Sequence, residues 1–163
     1  MKSRDTLGAR FARGALAGLA GNMALQAAQT VRQNWLPRAN PPIQGDPAAF
    51  MVEKLEHALP ARFRRKVPRQ VEDAVAASLP VGYGVTFGSL YGAVRPRGGN
   101  VVLDGVGLGV ASWAAGFLGW LPATGLMPPV SKHQSKQVAA SLIEHAIYGI
   151  AVVATYDCLR RNL

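Results

Sequence analysis

Residues 14–31, 74–94, 101–121 and 138–158 form four apolar stretches of 18, 21, 21 and 21 residues. A helix needs about 20 residues to cross the hydrocarbon core of a bilayer. Helices of soluble domains average about 11–12. Four stretches of membrane-spanning length within 163 residues are hard to obtain from a water-soluble core. The expected fold is therefore all-α, an integral membrane four-helix bundle forming a single membrane domain over residues 1–163. Charge follows the same plan. Residues 74–94 carry none, and residues 101–127 carry only Asp104. Charged residues make up 17% of the chain, against about 25% in globular proteins. The first stretch is mostly Ala and Gly and is expected to insert with help from its neighbours.

Two rival readings fail on the residues. Lys2, Arg4, Arg10 and Arg13 precede the first stretch as they would in a signal peptide. Asn22 and Gln26 interrupt the apolar run, however, and no clear A-x-A site follows, so a retained span is expected. Val101-Val102-Leu103 followed by Gly105, Gly107 and Gly109 resembles a strand and phosphate loop. The dinucleotide fingerprint needs G-x-G-x-x-G and an acid about 20 residues on. Here the glycines run G-x-G-x-G and no acid follows until Glu144.

The connection over residues 32–73 reads as an insertion between spans 1 and 2. Asp46-Pro47 is a cap with proline at the first helical position. Met51, Leu55, Ala58 and Leu59 then share one face, with Glu53, Lys54, Glu56 and His57 opposite. This predicts an amphipathic interfacial helix at about 47–59. Arg62, Arg64, Arg65, Lys66 and Arg69 follow and are candidate contacts for lipid headgroups, a merely solvated basic loop being the alternative. Glu72 and Asp73 sit near the positive end of the next helix, in which a kink is expected at Pro80.

The net charge of +9 fits basic flanks that orient membrane helices. No zinc spacing, RNP-like strand or basic recognition helix accompanies it, so no nucleic-acid partner is expected. Odd-numbered connections place Lys2, Arg4, Arg10, Arg13, Arg95, Arg97, Arg160 and Arg161 together in short flanks. Their density favours cytoplasmic N- and C-termini. The basic cluster of residues 62–69 lies on the other side and pulls the opposite way. Cys158 alone excludes an intramolecular disulfide.

Small residues predict how the helices pack. Gly105, Gly109, Ser112, Gly116 and Gly119 form a smooth stripe beside the bulky stripe of Val106, Val110, Trp113, Phe117 and Trp120. Gly84, Gly88 and Gly92 line one face of the second span, and Ser78, Gly82, Thr86 and Ser89 nearly the opposite face. Such stripes let backbones approach closely in lipid. Tyr83-Gly84 precedes Tyr91 by the spacing with which Tyr148-Gly149 precedes Tyr156. Gly14-x-x-x-Gly18 opens the first span as Gly105-x-x-x-Gly109 opens the third. The echo is compatible with two repeated helical hairpins, and equally with chance recurrence of common membrane residues.

Polar groups within spans are expensive and mark candidate sites. Glu144, His145 and Tyr148 in the fourth span, with Asn22 and Gln26 in the first, form the candidate intramembrane polar site. Proton shuttling by His145 is one reading, and a capped structural network at headgroup depth is the other and the preferred one. Asp104 and Asp157 lie close to Arg95, Arg97, Arg160 and Arg161, which predicts interfacial ion pairs. His57, His133 and His145 fall on one side without metal-ligand spacing, so no metal or other cofactor is expected. Residues 121–129, rich in proline, read as an apolar interfacial loop or shallow re-entrant turn. No H-E-x-x-H, G-x-S-x-G or P-loop lysine is present, and the chain is not expected to be an enzyme.

The motif Leu121-Pro122-x-x-Gly125-Leu126-x-Pro128-Pro129, followed by Glu144-His145-x-x-Tyr148-Gly149, resembles the uncharacterised YagU-like bacterial inner-membrane family. The likeness covers about residues 101–156, with an echo from Tyr83-Gly84 to Tyr91. It implies a small polytopic inner-membrane protein without an established activity or cofactor. The expected function is a structural or accessory role among membrane lipids, as a homo-oligomer or within a larger membrane complex. The alternative is a small oligomeric transporter or proton-coupled permeation protein.

Overall fold

Helix-compatible sequence dominates the chain, and the computed structural model describes residues 6–43, 47–58, 60, 68–95 and 99–162. No strand occurs among the described residues. Among the described residues five helices of twelve residues or more follow in order: α1 (Leu7–Trp35), α2 (Pro47–Ala58), α3 (Arg69–Val94), α4 (Val101–Ala114) and α5 (Ser135–Asn162). The course of α4 continues through a π-turn at Ala115–Trp120 to Leu121–Ala123. Two helical segments among the described residues, Val101–Ala123 and Ser135–Asn162, are long and apolar enough to cross a membrane. α1 and α3 are as long but carry more polar residues, such as Asn22, Gln26 and Gln29 in α1.

Caps set the helix starts. Thr6 accepts from the Ala9 backbone N–H at 3.2 Å to begin α1. Asn100 Oδ1 accepts from Val102 and Leu103 at 2.9 and 3.1 Å to begin α4, with Asp104 in the first turn, where the helix dipole favours it. α3 runs through Pro80, which lacks the N–H that would bond to the Ala76 carbonyl.

Small residues decide which helices pair. The four long helices associate as antiparallel pairs, α1 with α3 and α4 with α5, joined through α1 and α5. A side chain at Gly14 or Gly18 would strike the α3 backbone at Gly88–Ser89 or Gly84–Val85. One at Gly105 or Gly109 would strike α5 at Ile150 or His145–Ala146. Gly88 meets Gly14 and Gly18 just as Gly149 meets Gly105 and Gly109. The Tyr-Gly echo would instead align Gly84 with Gly149, one helical turn away. Sequence echo and packing register therefore differ by four residues.

Two apolar clusters fill the interior. One joins Ala17, Tyr91, Tyr148, Val152, Val153 and Tyr156. The other joins Trp113 and Phe117 to Leu121, Leu126 and Met127. The proline-rich segment after α4 thus folds back onto the bundle, turning at Gly125 with φ of 78°, a left-handed conformation glycine adopts at no steric cost. The opposite distribution holds outside. Leu16, Leu19, Met23, Leu90, Leu103, Val110, Leu118, Ile143 and Ile147 are exposed, while Arg13, Asn22, Arg32, Arg95, Glu144 and Asp157 are buried.

α3 and α4 scarcely touch. Within the bundle they are bridged by the Tyr83 hydroxyl, which donates to the Ser112 carbonyl at 2.8 Å. This open seam positions the site described next.

Candidate functional site

A cavity of about 720 Å³ occupies the gap between α1, α3 and α4, with α2 across it. The wall from α1 carries Asn22, Gln26 and Gln29; α2 contributes Pro47, Ala48 and Met51. α3 presents its second small-residue face, Ser78, Gly82 and Thr86, so this stripe borders empty space while Gly84 and Gly88 face α1. From α4 come Ser112, Gly116, Phe117 and Trp120, and from α5 His145 and Tyr148. The π-turn makes part of this wall. A π-turn inserts an extra residue and re-aims the side chains around it. Gly119 within it adopts non-helical backbone angles, φ −96° and ψ −107°.

Most hydroxyls around the cavity are already committed. Ser78 donates to Val75, Thr86 to Gly82 and Ser112 to Gly109, each carbonyl 2.8–2.9 Å away. Tyr148 donates to the Gly84 carbonyl at 2.6 Å. The His145 Nδ1 lies 2.8 Å from the Ser141 carbonyl. A carbonyl only accepts, so Nδ1 carries the proton, and in the neutral ring Nε2 is left as an acceptor. Asn22 is 5% exposed as a residue, and its carboxamide makes no hydrogen bond among the described residues.

Glu144 points elsewhere. It forms a buried ion pair with Arg32 Nε, and Arg32 also donates to Asn40 Oδ1. Gln137 extends the network by donating to the Asn40 carbonyl at 2.9 Å. This pair lines a second cavity of about 310 Å³ with Gln33, Pro41 and Ile43. Gln29, Phe117 and His145 line both cavities and form the partition between them. The adjacent residues Glu144 and His145 therefore serve different surroundings. Arg32 was the residue that the sequence pattern missed. It lies one position beyond the apolar stretch, so its i-to-i alignment with Glu144 emerges only once α1 and α5 pack antiparallel.

The opposite end of the bundle is tied by Arg95, which bonds Asp104 at 3.0 Å and Asp157 at 2.8 Å with its side chain 2% exposed. Arg10 donates to the Gly92 and Arg95 carbonyls at 3.1 Å each, a cation on the C-terminal carbonyls of α3. Of the anticipated ion-pair residues, Arg97 lies outside the described residues.

Gly92 faces the Arg10 carbonyl and Tyr156, whereas Gly116 meets no backbone, its nearest neighbour being the Tyr83 hydroxyl at 3.8 Å from a built Cβ. Gln26 lines the cavity with an exposed flank. Arg62, Arg64, Arg65 and Lys66 lie outside the described residues, as does the side chain of Arg69, whose backbone begins α3. His133 Nε2 is 3.0 Å from the Pro128 carbonyl and His57 pairs with Glu53 at 3.6 Å. Among the described residues no three His, Cys, Asp or Glu side chains converge as a metal site would require.

Comparison with protein-family models, curated proteins and solved structures finds no match.

Proposed function

We propose that this chain is a small multi-pass protein of a bacterial inner membrane, with a structural or accessory role rather than a catalytic one. In this reading α1, α3, α4 and α5 all cross the bilayer, α2 lies at headgroup level, and both termini are cytoplasmic. The observation that carries it is the inverted distribution of side chains. Leu103 and Met23 are 72% and 73% exposed, while Arg95, Glu144 and Asp157 are 5–6% exposed. These buried charges are paired, and extended apolar surface marks an interaction face. Lipid as the outer solvent accounts for that apolar surface. Glu144 is paired with Arg32, and Asp104 and Asp157 with Arg95, and no nucleophile stands beside a free base among the described residues. That favours assembly over catalysis, as a homo-oligomer or within a larger membrane complex. A carbonate wash of membranes should leave the chain in the pellet, and its release into the supernatant would defeat the reading. Native mass spectrometry in detergent should then report self-association or a co-purifying partner.

One observation favours a second reading, a small oligomeric transporter or proton-coupled permeation protein. His145 stands between two cavities, as a residue passing protons from one compartment to the other would. Reconstituted vesicles of the wild type and of His145→Asn separate the two: an accessory protein gives no proton flux in either, and a permeation protein loses its flux in the variant.

A further inference from the structure

We infer that the cavity between α1, α3 and α4 is a binding site for a neutral lipid that carries a hydroxyl or carbonyl head on a long apolar body. The inference rests on the membrane reading only in that the ligand reaches the site from lipid through the α3–α4 seam. Among the described residues no Lys, Arg, Asp or Glu lines the cavity. The nearest cation on the adjoining cavity, Arg32, is already paired with Glu144. A charged head would therefore lose its hydration without gaining a counter-ion.

A wholly apolar occupant fits no better. Asn22 is buried and lines the cavity, and an apolar molecule there would leave its carboxamide without a hydrogen-bond partner. Gln26 and Gln29 also line the cavity from α1, seven residues from Asn22 to Gln29 being two helical turns. Their N–H groups are donors for a hydroxyl or carbonyl oxygen. His145, in the same partition as Gln29, offers Nε2 as the acceptor for a hydroxyl proton. A head that both accepts and donates satisfies these groups together. The apolar body is received by Leu25, Met51, Leu79, Phe117, Trp120 and Leu121.

Size and shape agree. Small-molecule pockets run about 300–1,000 Å³, and this one falls within that range at about 720 Å³. A partner helix is a poorer occupant because α2 lies over the cavity through Pro47, Ala48 and Met51. Gly82 meets nothing within 4 Å of a built Cβ, so the second small-residue face of α3 gives width to a compartment that the protein itself leaves unfilled.

Acyl and isoprenoid lipids both offer this chemistry, and the experiment separates them. The full-length protein in nanodiscs is offered dioleoylglycerol, a long-chain prenol or phosphatidylglycerol, and bound lipid is counted by native mass spectrometry after release. The wild type is expected to retain one of the two neutral lipids over phosphatidylglycerol. Gly82→Leu, which fills open space, should abolish retention. Asn22→Leu should weaken it about tenfold, the equivalent of about 1.4 kcal/mol. Gly107→Leu, at an exposed glycine with nothing within 4 Å, should retain lipid as the wild type does. Equal retention in all four proteins, preference for phosphatidylglycerol, or no adduct at all would overturn the inference. A carbonate wash on the same preparations keeps the two claims apart. A chain that stays in the membrane yet binds neither neutral lipid loses the site and keeps its spans, and a chain released by carbonate loses the spans whatever it binds.

Discussion

Arg32 and Glu144 are each less than a tenth exposed, on helices that pack antiparallel. Replacing Glu144 with Leu leaves the guanidinium buried without its counter-charge, a loss of about 3–5 kcal/mol where such pairs have been broken. Arg32→Met leaves the carboxylate in the same position and also frees Asn40 Oδ1, so it should cost at least as much. The double variant carries neither charge. It should lie within about 1–2 kcal/mol of the wild type, the residue being the orphaned Asn40 acceptor. The two single losses thus sum to at least about 6 kcal/mol, and the coupling in the cycle should be about 4 kcal/mol or more. Reversible unfolding in mixed micelles, followed by the fluorescence of Trp35, Trp113 and Trp120, measures all four proteins. Salt should leave the coupling unchanged, since a buried pair is little screened. Additive losses, or a double variant less stable than either single one, would refute the claim that Glu144 is held as a structural counter-ion.

Four further outcomes follow from the packing. Gly88→Ala and Gly149→Ala each drive a methyl into backbone, at Gly18 and Gly109 respectively, and should destabilise by about 1–3 kcal/mol as overpacked sites do. Gly82→Ala in the same α3 meets open space and should gain about 0.5–1 kcal/mol of helix propensity in the same unfolding assay. Trp113→Phe removes the 2.9 Å bond from Nε1 to Ser141 and should cost about 0.5–1.5 kcal/mol plus the lost ring area. Cys158 is exposed near the end of α5; in intact spheroplasts a membrane-impermeant maleimide should leave it unlabelled and label it after lysis, and labelling without lysis would reverse the proposed orientation.

Much of the fold was legible because small residues recur at helical spacing. Gly14 and Gly18 on α1, and Gly105 and Gly109 on α4, are the points at which neighbouring backbones meet. Asp104 and Asp157 were legible as ion-pair partners because the ends of antiparallel helices bring sequence-distant flanks together, although the cation shared by both is Arg95. Three features were not legible. The partner of Glu144 depends on the rotation of α1 about its own axis, which no pattern in residues 14–31 fixes. The π-turn at Ala115–Trp120 leaves no signature beyond glycines that also suit an ordinary helix. Gly116 belongs by spacing to the smooth stripe of α4, but the extra residue of the π-turn carries it off the α5 contact and onto the cavity wall.

The cavity follows from how the small residues are shared out. Close backbone contact needs glycine on at least one side of a helix pair. α3 places Gly84, Gly88 and Gly92 toward α1 and its neighbours, and α4 places Gly105 and Gly109 toward α5. Each helix thereby spends its closest approach on its hairpin partner, and the α1–α5 contact then fixes how the two pairs sit. The α3–α4 seam receives what remains. α4 brings bulky Phe117 and Trp120, and α3 brings Ser78, Gly82 and Thr86, which are too small to reach them. Tyr83 is long enough to close the distance, at the Ser112 carbonyl. Larger apolar residues on that face of α3 would have closed the seam at little cost. The side chains present instead keep it wide, and they border an unpartnered carboxamide on α1. The unpartnered carboxamide at its edge is satisfied when the seam receives a molecule with a hydrogen-bonding head.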